Sequence, residues 1–190
     1  MKAIMQFRTF IICLLLALPF GSAMADEYSD TVDLFRNAGE SSWFVDNSYG
    51  YAVFPTIGKG GIGIGGAYGK GRVYAGGKHV GDTSMTQATI GFQLGGEAFS
   101  EIIFFEDQRA FDEFTGGNFE FSADASAVAI TASAKAAATT TGSSAGVSGG
   151  KKDATTKGSY RKGMATFTVA KGGLMYQATV GGQKFSYTPK

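Results

Sequence analysis

The side chains that most often do chemistry are scarce in this sequence. It contains one histidine, His79, and one cysteine, Cys13. One residue of each type cannot build a multi-histidine metal site, and Cys13 falls in a segment expected to be removed. Glu106 and Asp107 are adjacent at the start of a predicted helix, where carboxylates interact favourably with the helix dipole. We therefore predict no catalytic residue, no metal site and no cofactor.

A glycine-rich segment, GKGGIGIGG at 58–66, matches the G-x-G-x-x-G pattern of nucleotide-binding loops. Gly58, Gly60 and Gly63 provide one such match. A dinucleotide loop requires a helix directly after it, whose N-terminus faces the pyrophosphate. Here a strand-like run with Arg72 follows instead, so the sequence does not predict a nucleotide site.

The same segment alternates strictly between glycine and isoleucine. Ile62 and Ile64 fall on one face of a strand, and Gly61, Gly63 and Gly65 fall on the other. Each glycine costs about 0.5–1 kcal/mol relative to alanine, which is tolerated where something must approach the backbone closely. A packed helix or sheet is one interpretation of the bare face, and the one we favour. Direct contact with a ligand is the other.

Four cations flank this glycine-rich strand in the sequence: Lys59, Lys70, Arg72 and Lys78. If the strands fold back on each other, these side chains form a basic patch suited to anionic head groups, at about 1 kcal/mol per cation. The alternative is that they are ordinary solvated lysines that protect strand edges from aggregation. The candidate lipid-binding residues are therefore Lys59, Gly61, Gly63, Gly65, Lys70, Arg72 and Lys78.

Overall charge and composition limit the class of protein. The chain has 17 Lys+Arg against 16 Asp+Glu, so it lacks the global basic charge of a nucleic-acid-binding protein. Glycine is abundant, with 29 residues, and proline is rare, with 3. The glycines have no collagen period and lie among Ile, Val, Phe and Tyr, which indicates a packed β structure.

The hydrophobic pattern predicts an α+β fold that is mainly antiparallel β: a short-stranded sheet or barrel-like core with two or three helices. Pro55 is expected to close the first strand, and Gly76-Gly77 and Gly81-Asp82 are expected to mark turns. Predicted helices cover 29–38, about 42–45 and 106–115. Predicted strands cover 49–54, 60–68, 72–75, 86–94, 98–105 and 164–170, with a hairpin at Gly181-Gly182.

The first 25 residues have the pattern of a secretory signal. Lys2 and Arg8 precede an apolar run at 9–18 that is too short to span a bilayer. Small residues at 23 and 25 predict cleavage after Ala25, with an uncleaved anchor as the alternative. Cys13 lies inside the apolar run, so no lipid-modified cysteine is expected. We predict a periplasmic or secreted protein, with residues 26–190 forming one domain that contains a low-complexity insertion at about 132–159.

Several motifs resemble the SYLF domain when taken together: GYAVFP at 50–55, GGIGIGGAYGKG at 60–71, IGFQLGGE at 90–97 and KGGLM at 171–175. The resemblance covers most of residues 26–190. It implies a phospholipid-binding module, since SYLF domains bind phospholipids, including phosphoinositides in eukaryotic members, and yeast relatives bind actin. The insertion at 132–159 and TSM at 83–85, where eukaryotic members often carry a Trp-Ser pair, depart from the family pattern.

These observations predict an exported, non-catalytic module that binds anionic phospholipid head groups at the bacterial envelope. Nucleic acid is not an expected partner, and actin is not expected for a chain with a bacterial-style export signal. The alternative is a structural or interaction protein of the envelope that binds another protein through its β surface.

Overall fold

A computed structural model describes residues 26–91, 97–123, 125–130, 158–171 and 178–190. The predicted signal at 1–25 and nearly all of the predicted insertion at 132–159 lie outside these residues. In the described ranges, no helix has both the length and the apolar character needed to cross a bilayer.

The described residues form an eight-stranded curled sheet, a half-barrel, with three helices. Neighbouring strands run antiparallel except β5 and β6. This confirms the α+β, mainly antiparallel prediction. The helices are α1 (Glu27–Arg36), α2 (Ser42–Asn47) and α3 (Gln108–Thr115). The strands are β1 (Gly50–Ala75), β2 (Lys78–Gly91), β3 (Glu97–Phe105), β4 (Asn118–Glu120), β5 (Ser126–Ile130), β6 (Met164–Ala170), β7 (Ala178–Thr179) and β8 (Lys184–Pro189). Their order across the sheet is β4-β8-β2-β1-β3-β6-β5-β7.

β1 is longer than the sequence pattern predicted, because it does not stop at Pro55. Its first part pairs with β3, its later part pairs with β2, and the β3 register shifts between Phe54 and Ile57. Proline lacks an N–H, and such an irregularity is a place where a strand can accommodate it. The Pro55 carbonyl accepts a hydrogen bond from Ser100 Oγ at 2.7 Å, which ties the irregularity to β3.

The turn predicted at Gly76 and Gly77 is confirmed: it joins β1 to β2, and the φ angles of the two glycines are 55° and 75°. Glycine adopts such left-handed angles without a steric cost. The turn predicted at Gly81-Asp82 is wrong, because both residues lie inside β2 and pair with β8. There Gly81 accommodates the ring of Tyr187, so its role is close packing between strands.

The two parts of β1 lie close to each other, and glycines make this approach feasible. A Cβ atom built on Gly71 would be 2.6 Å from the Phe54 ring and 2.8 Å from the Val53 carbonyl oxygen. Farther along, the rings of Tyr51 and Tyr74 stack with centroids 5.1 Å apart. At Gly71 the bare backbone is therefore covered by the protein's own chain.

An inner core fills the concave side of the half-barrel with aromatic rings. Phe114 of α3 packs against Phe105 and Phe185, with ring centroids 5.0 and 5.1 Å apart. Asp107 caps α3, since its Oδ1 accepts a hydrogen bond from the Ala110 N–H at 2.8 Å. This confirms that an acidic residue lies at the start of the helix. The helix α3 packs against the inner core through Ala110 and Phe114.

An outer core lies between the sheet and helices α1 and α2. Phe35 of α1 and Phe44 of α2 are buried, and Phe44 packs on the rings of Phe104 and Phe167. Ser41 precedes α2, and its side chain makes no capping bond. Its hydroxyl instead donates to the Phe35 carbonyl at 2.6 Å, and this bond joins the two helices.

Candidate functional site

Residues 58–70 of β1, here called the distal segment, lie away from the turn at 76–77 and are largely exposed. Ile64 is 79% exposed and Tyr68 is 52% exposed, whereas most other large apolar side chains of the described residues are covered. Because alternate residues of a strand share a face, Ile64, Gly66 and Tyr68 point the same way. Gly66 and Tyr68 lie opposite Ala88 and Thr86 of β2, which are also exposed, and Ile64 lies opposite Ile90. The result is an outer surface on which two large apolar side chains, Ile64 and Tyr68, are exposed.

An open cleft of about 390 Å³ separates the distal segment from the start of α1. Glu27, Thr56, Tyr68 and Lys70 are among the residues that line it. Thr56 Oγ1 donates to Glu27 Oε1 at 3.0 Å and accepts from Lys171 Nζ at 2.6 Å. Lys171 Nζ also lies 3.7 Å from Glu27 Oε1, so the acidic charge in this cleft is paired with a cation.

Lys59 and Lys70 carry the positive charge of the distal segment. Lys70 is exposed at the cleft, sits opposite Ser84 of β2 and forms no ion pair with any residue that the structure describes. Lys59 is half-buried and lies opposite the exposed Glu97 of β3. Lys70 is therefore the cation of this segment that is most available to an anionic group.

Arg72 is held by the protein itself. Its Nη1 lies 2.7 Å from Asp26 Oδ2, and its guanidinium carbon stands 4.0 Å from the centre of the Tyr28 ring. These contacts attach the start of α1 to β1. Arg72 therefore supports the wall of the cleft, and an incoming anion would have to compete with Asp26 for it.

Lys78 lies at the other end of β1, opposite Ala75 beside the turn. The strand between Lys70 and Ala75 is about 17 Å long, at about 3.3 Å per residue. Lys59, Lys70 and the glycines at 61, 63 and 65 thus all lie in the distal segment, where Lys70 borders the cleft and Lys59 lies opposite Glu97, whereas Lys78 lies beside the turn at 76–77. Gly63 pairs with Gly91 of β2 there, and Gly61 has a φ of 149°.

Three residues of this surface were not among the predicted lipid-binding residues. They are Tyr68, Lys171 and the exposed Ile64. The alternation over 60–68 contains the signal for Ile64 and Tyr68, since both fall on the face opposite the odd-numbered glycines. No sequence signal places Lys171 beside Thr56, because 115 residues separate them. Sheet pairing between β3 and β6 creates that contact.

A second unusual group, the carboxyl of Glu101, is fully buried in β3. Its Oε2 accepts a hydrogen bond from Gln183 Nε2 at 3.0 Å, and Gln183 is also fully buried. Burial raises the pKa of Glu101 to about 8, although the Gln183 bond acts in the opposite direction. Within the described residues, no group of three or more His, Cys, Asp or Glu side chains could hold a metal ion.

Comparison with known proteins connects this fold to a family. The family model described as "Las17-binding protein actin regulator", Ysc84, matches residues 86–188, which is more than half of the chain. Beta cell expansion factor A of Aeromonas veronii is 27% identical over 166 residues, covering 86% of this chain and 54% of that protein. The chain thus spans about half the length of this curated relative. With the family match running from β2 to β8, the chain belongs to the Ysc84 (SYLF) family.

Proposed function

We propose that this protein is an exported, non-catalytic module that binds phospholipid through anionic head groups at the bacterial envelope. The observation that carries the proposal is the distal segment, where Tyr68 and Lys70 line one cleft and the exposed Ile64 and the half-buried Lys59 lie in the same segment. Isolated exposed apolar residues are common on proteins, but apolar groups bordered by cations suit the boundary between head groups and acyl chains.

The expected strength of binding is modest. Lys70 near an anionic surface contributes about 1 kcal/mol, and Lys59 and Arg72 contribute less because Glu97 lies opposite Lys59 and Asp26 already neutralises Arg72. Burial of apolar surface adds about 25 cal/mol per Å² removed from water. Binding should therefore depend on both the fraction of anionic lipid and the salt concentration.

Family membership supports an interaction role, and the family description refers to Las17 and to actin regulation. We do not extend actin to this chain, because the predicted signal at 1–25 would send it to a bacterial periplasm or outside the cell. The name of the Aeromonas relative describes that protein only. The distal segment precedes the matched residues 86–188, so the proposed site rests on the structure of this chain.

Flotation of the purified protein with anionic and with neutral vesicles tests the proposal. We expect binding to the anionic vesicles that weakens with added salt. Lys70→Ala should reduce this binding about fivefold, in keeping with about 1 kcal/mol per cation. Lys78→Ala is the matched control, since it removes the same charge at the opposite end of β1 and should leave binding nearly unchanged. Absence of binding to either vesicle would contradict the proposal.

A second candidate function is binding to another envelope protein. The observation that favours it is Trp43 of α2, which is 58% exposed and lies away from the distal segment. Exposed tryptophans are frequent anchors of protein interfaces. Capture of a partner from envelope extract that is lost in Trp43→Ala, together with no vesicle binding, would support this candidate over the first.

A further inference from the structure

We infer that Ile64 and Tyr68 enter the head-group layer of an anionic bilayer, so that the distal segment acts as a shallow wedge and not only as a charged surface. This inference rests on the proposed function and specifies which atoms contact the lipid. The two side chains are four residues apart on one face of β1, which separates them by about 13 Å.

The shape of the surface favours insertion of these two side chains. Gly66 stands between them and has no side chain, and the residues that face Gly66 and Tyr68 on β2, Ala88 and Thr86, are small. Tyr68 therefore projects beyond its immediate surroundings, and Ile64, which lies opposite Ile90, is the more exposed of the two side chains. Isoleucine is the more apolar of the two, whereas a tyrosine prefers the interface, where its ring is buried and its hydroxyl is wet. Ile64 should consequently lie deeper than Tyr68.

A bilayer fits this surface better than a protein partner does. A stable protein interface buries about 800 Å² on each side and requires a complementary shape. A bilayer adapts to two projecting groups and supplies the negative charge that complements Lys59 and Lys70. Glu27, the acidic residue in the cleft, is already paired with Lys171, so it does not leave an uncompensated negative charge facing the lipid.

The single tryptophan of the chain makes insertion directly measurable. Trp43 serves as the reference, because its neighbour Phe44 packs on Phe104, the residue opposite Tyr51 near the start of β1. About 30 Å of strand separates Tyr51 from Gly60, where the distal segment begins. Trp43→Phe/Ile64→Trp and Trp43→Phe/Tyr68→Trp each move the fluorophore to one of the proposed insertion sites.

The experiment adds these proteins to anionic vesicles that contain brominated phospholipid. We expect loss of fluorescence for tryptophan at 64, a smaller loss at 68 and no loss for Trp43 in the unsubstituted protein. Flotation that persists without quenching at 64 would overturn the insertion and leave lipid binding intact. Failure of flotation would overturn both, and quenching of Trp43 would place the membrane at the opposite end of the molecule.

A binding measurement provides the second readout. Ile64→Ser should weaken binding to anionic vesicles about tenfold, which corresponds to the loss of about half the burial energy of an isoleucine side chain. Thr86→Ser is the matched control, because it removes one methyl group from the neighbouring exposed position on β2. Equal binding by both variants would contradict the wedge, and thermal unfolding would verify that both remain folded.

An independent observation concerns the buried pair Glu101 and Gln183. One bond joins them, from Gln183 Nε2 to Glu101 Oε2, yet the other oxygen of each side chain has no hydrogen-bond partner among the described atoms. Buried oxygens without partners cost about 1–3 kcal/mol each. Two such atoms on side chains that already touch require a common explanation.

We propose that Glu101 and Gln183 form a neutral acid–amide pair with two hydrogen bonds. The protonated Oε1 of Glu101 donates to Gln183 Oε1, while the amide N–H donates to Glu101 Oε2. One proton thereby gives a hydrogen-bond partner to both oxygens that lack one. The resulting pair joins β3 to the turn before β8 across the inner core. That turn is itself fixed, because the Phe121 N–H donates to the Gln183 carbonyl at 3.0 Å.

The surroundings favour the neutral acid. The ladder neighbours of Glu101 are Phe54 on β1 and Thr168 on β6, and neither is charged. Gln183 faces Glu101 from the turn before β8. No charged group among the described residues shifts the pKa of Glu101. Burial, the largest cause, raises the pKa of Glu101 to about 8, which agrees with a proton retained at neutral pH.

Infrared spectroscopy of the unsubstituted protein tests the pair. At about pH 6 ordinary carboxyl groups are ionised, so a protonated-carboxyl band there should come from Glu101, and Glu101→Gln should remove it. Absence of the band would overturn the proposal. Gln183→Met should shift the band to higher frequency, because the acceptor of the proton is lost. An unchanged frequency would refute the paired geometry, and the band of the unsubstituted protein decides the matter if a variant does not fold.

Discussion

Two regions of β1, residues 50–57 and the distal segment, differ in how far the rest of the protein covers them. From 50 to 57 the strand is enclosed, and Val53, Phe54 and Ile57 are fully buried between the inner and outer cores. The distal segment has seven glycines in its 13 residues, against one glycine in residues 50–57, and most of it faces solvent, with Ile64 the most exposed of its described large apolar side chains. The two regions therefore differ both in composition and in whether another element covers them. Substitutions at the two ends should therefore change different properties.

The largest difference is expected between Phe54→Ala and Ile64→Ala. Phe54 packs against Phe185 with ring centroids 5.7 Å apart, so its truncation leaves a cavity in the inner core. We expect a loss of about 3–5 kcal/mol in the free energy of unfolding, against less than about 0.5 kcal/mol for Ile64→Ala. Urea unfolding of both variants measures the contrast, and similar losses would show that the distal segment is covered in solution.

The stability of the protein should also depend on pH, because Glu101 lies opposite Phe54 in the enclosed region of β1. Its pKa is raised from 4.5 to about 8, so between these values the folded state holds a proton that the unfolded state has released. The contribution of Glu101 to stability is therefore complete below about pH 4.5, decreases as pH rises through this window, and is lost above about pH 8. The slope is about 1.4 kcal/mol per pH unit, or roughly 3 kcal/mol by pH 7.

Glu101→Gln isolates this effect, because an amide retains the shape of the carboxyl group and does not titrate. Urea unfolding from about pH 5 to 8 should show a flatter profile for the variant than for the unsubstituted protein. Identical slopes would mean that Glu101 is ionised inside the folded protein.

Glycine-to-alanine substitutions at a packed position and at an exposed position of β1 should differ in stability by a smaller amount. Gly71→Ala places a methyl group 2.6 Å from the Phe54 ring, and we expect it to cost about 1–3 kcal/mol. At Gly58, in the distal segment, a Cβ would meet nothing within 4 Å. Gly58→Ala should be neutral or stabilising by up to about 1 kcal/mol, because it restricts the unfolded chain. Thermal unfolding distinguishes the two, and an equal cost at both positions would contradict the assigned packing.

The smallest effect is expected where α1 is joined to β1. Arg72→Ala removes the Asp26 ion pair and the contact with the Tyr28 ring, both partly exposed, and should cost about 1 kcal/mol or less. Lys70→Ala should leave stability unchanged while weakening vesicle binding. Hydrogen exchange at the first turn of α1 would report the loosening in Arg72→Ala, and equal exchange in the two variants would argue against this role of Arg72.

Much of the fold could be predicted from local signals. The apolar runs at 98–105 and 164–170 gave β3 and β6, and acidic residues before apolar periodicity gave α1 and α3. The errors at Pro55 and at Gly81-Asp82 share a cause: both positions look like breaks locally, but pairing with β3 and β8 keeps the strands continuous there.

The candidate site was less predictable, because it depends on which distant residues the sheet brings together. Closeness in sequence placed Lys78 with Lys70, yet the register puts Lys78 beside the turn at the far end of the strand. Lys171 meets Thr56 only because β6 lies next to β3. The buried role of Glu101 was signalled only by its being a single acid in an apolar run, a pattern that an exposed strand position also produces.

The position of β2 between β1 and β8 has a consequence for how the chain folds. The Thr83 hydroxyl bonds the Ser186 carbonyl across 103 residues, so one edge of the β1–β2 hairpin stays unpaired until the last strand arrives. Loop closure over such a distance makes folding slow, and an open edge invites association between nascent chains. A chaperone that shields strand edges during synthesis should therefore raise the yield of this protein more than a chaperone that shields apolar helices.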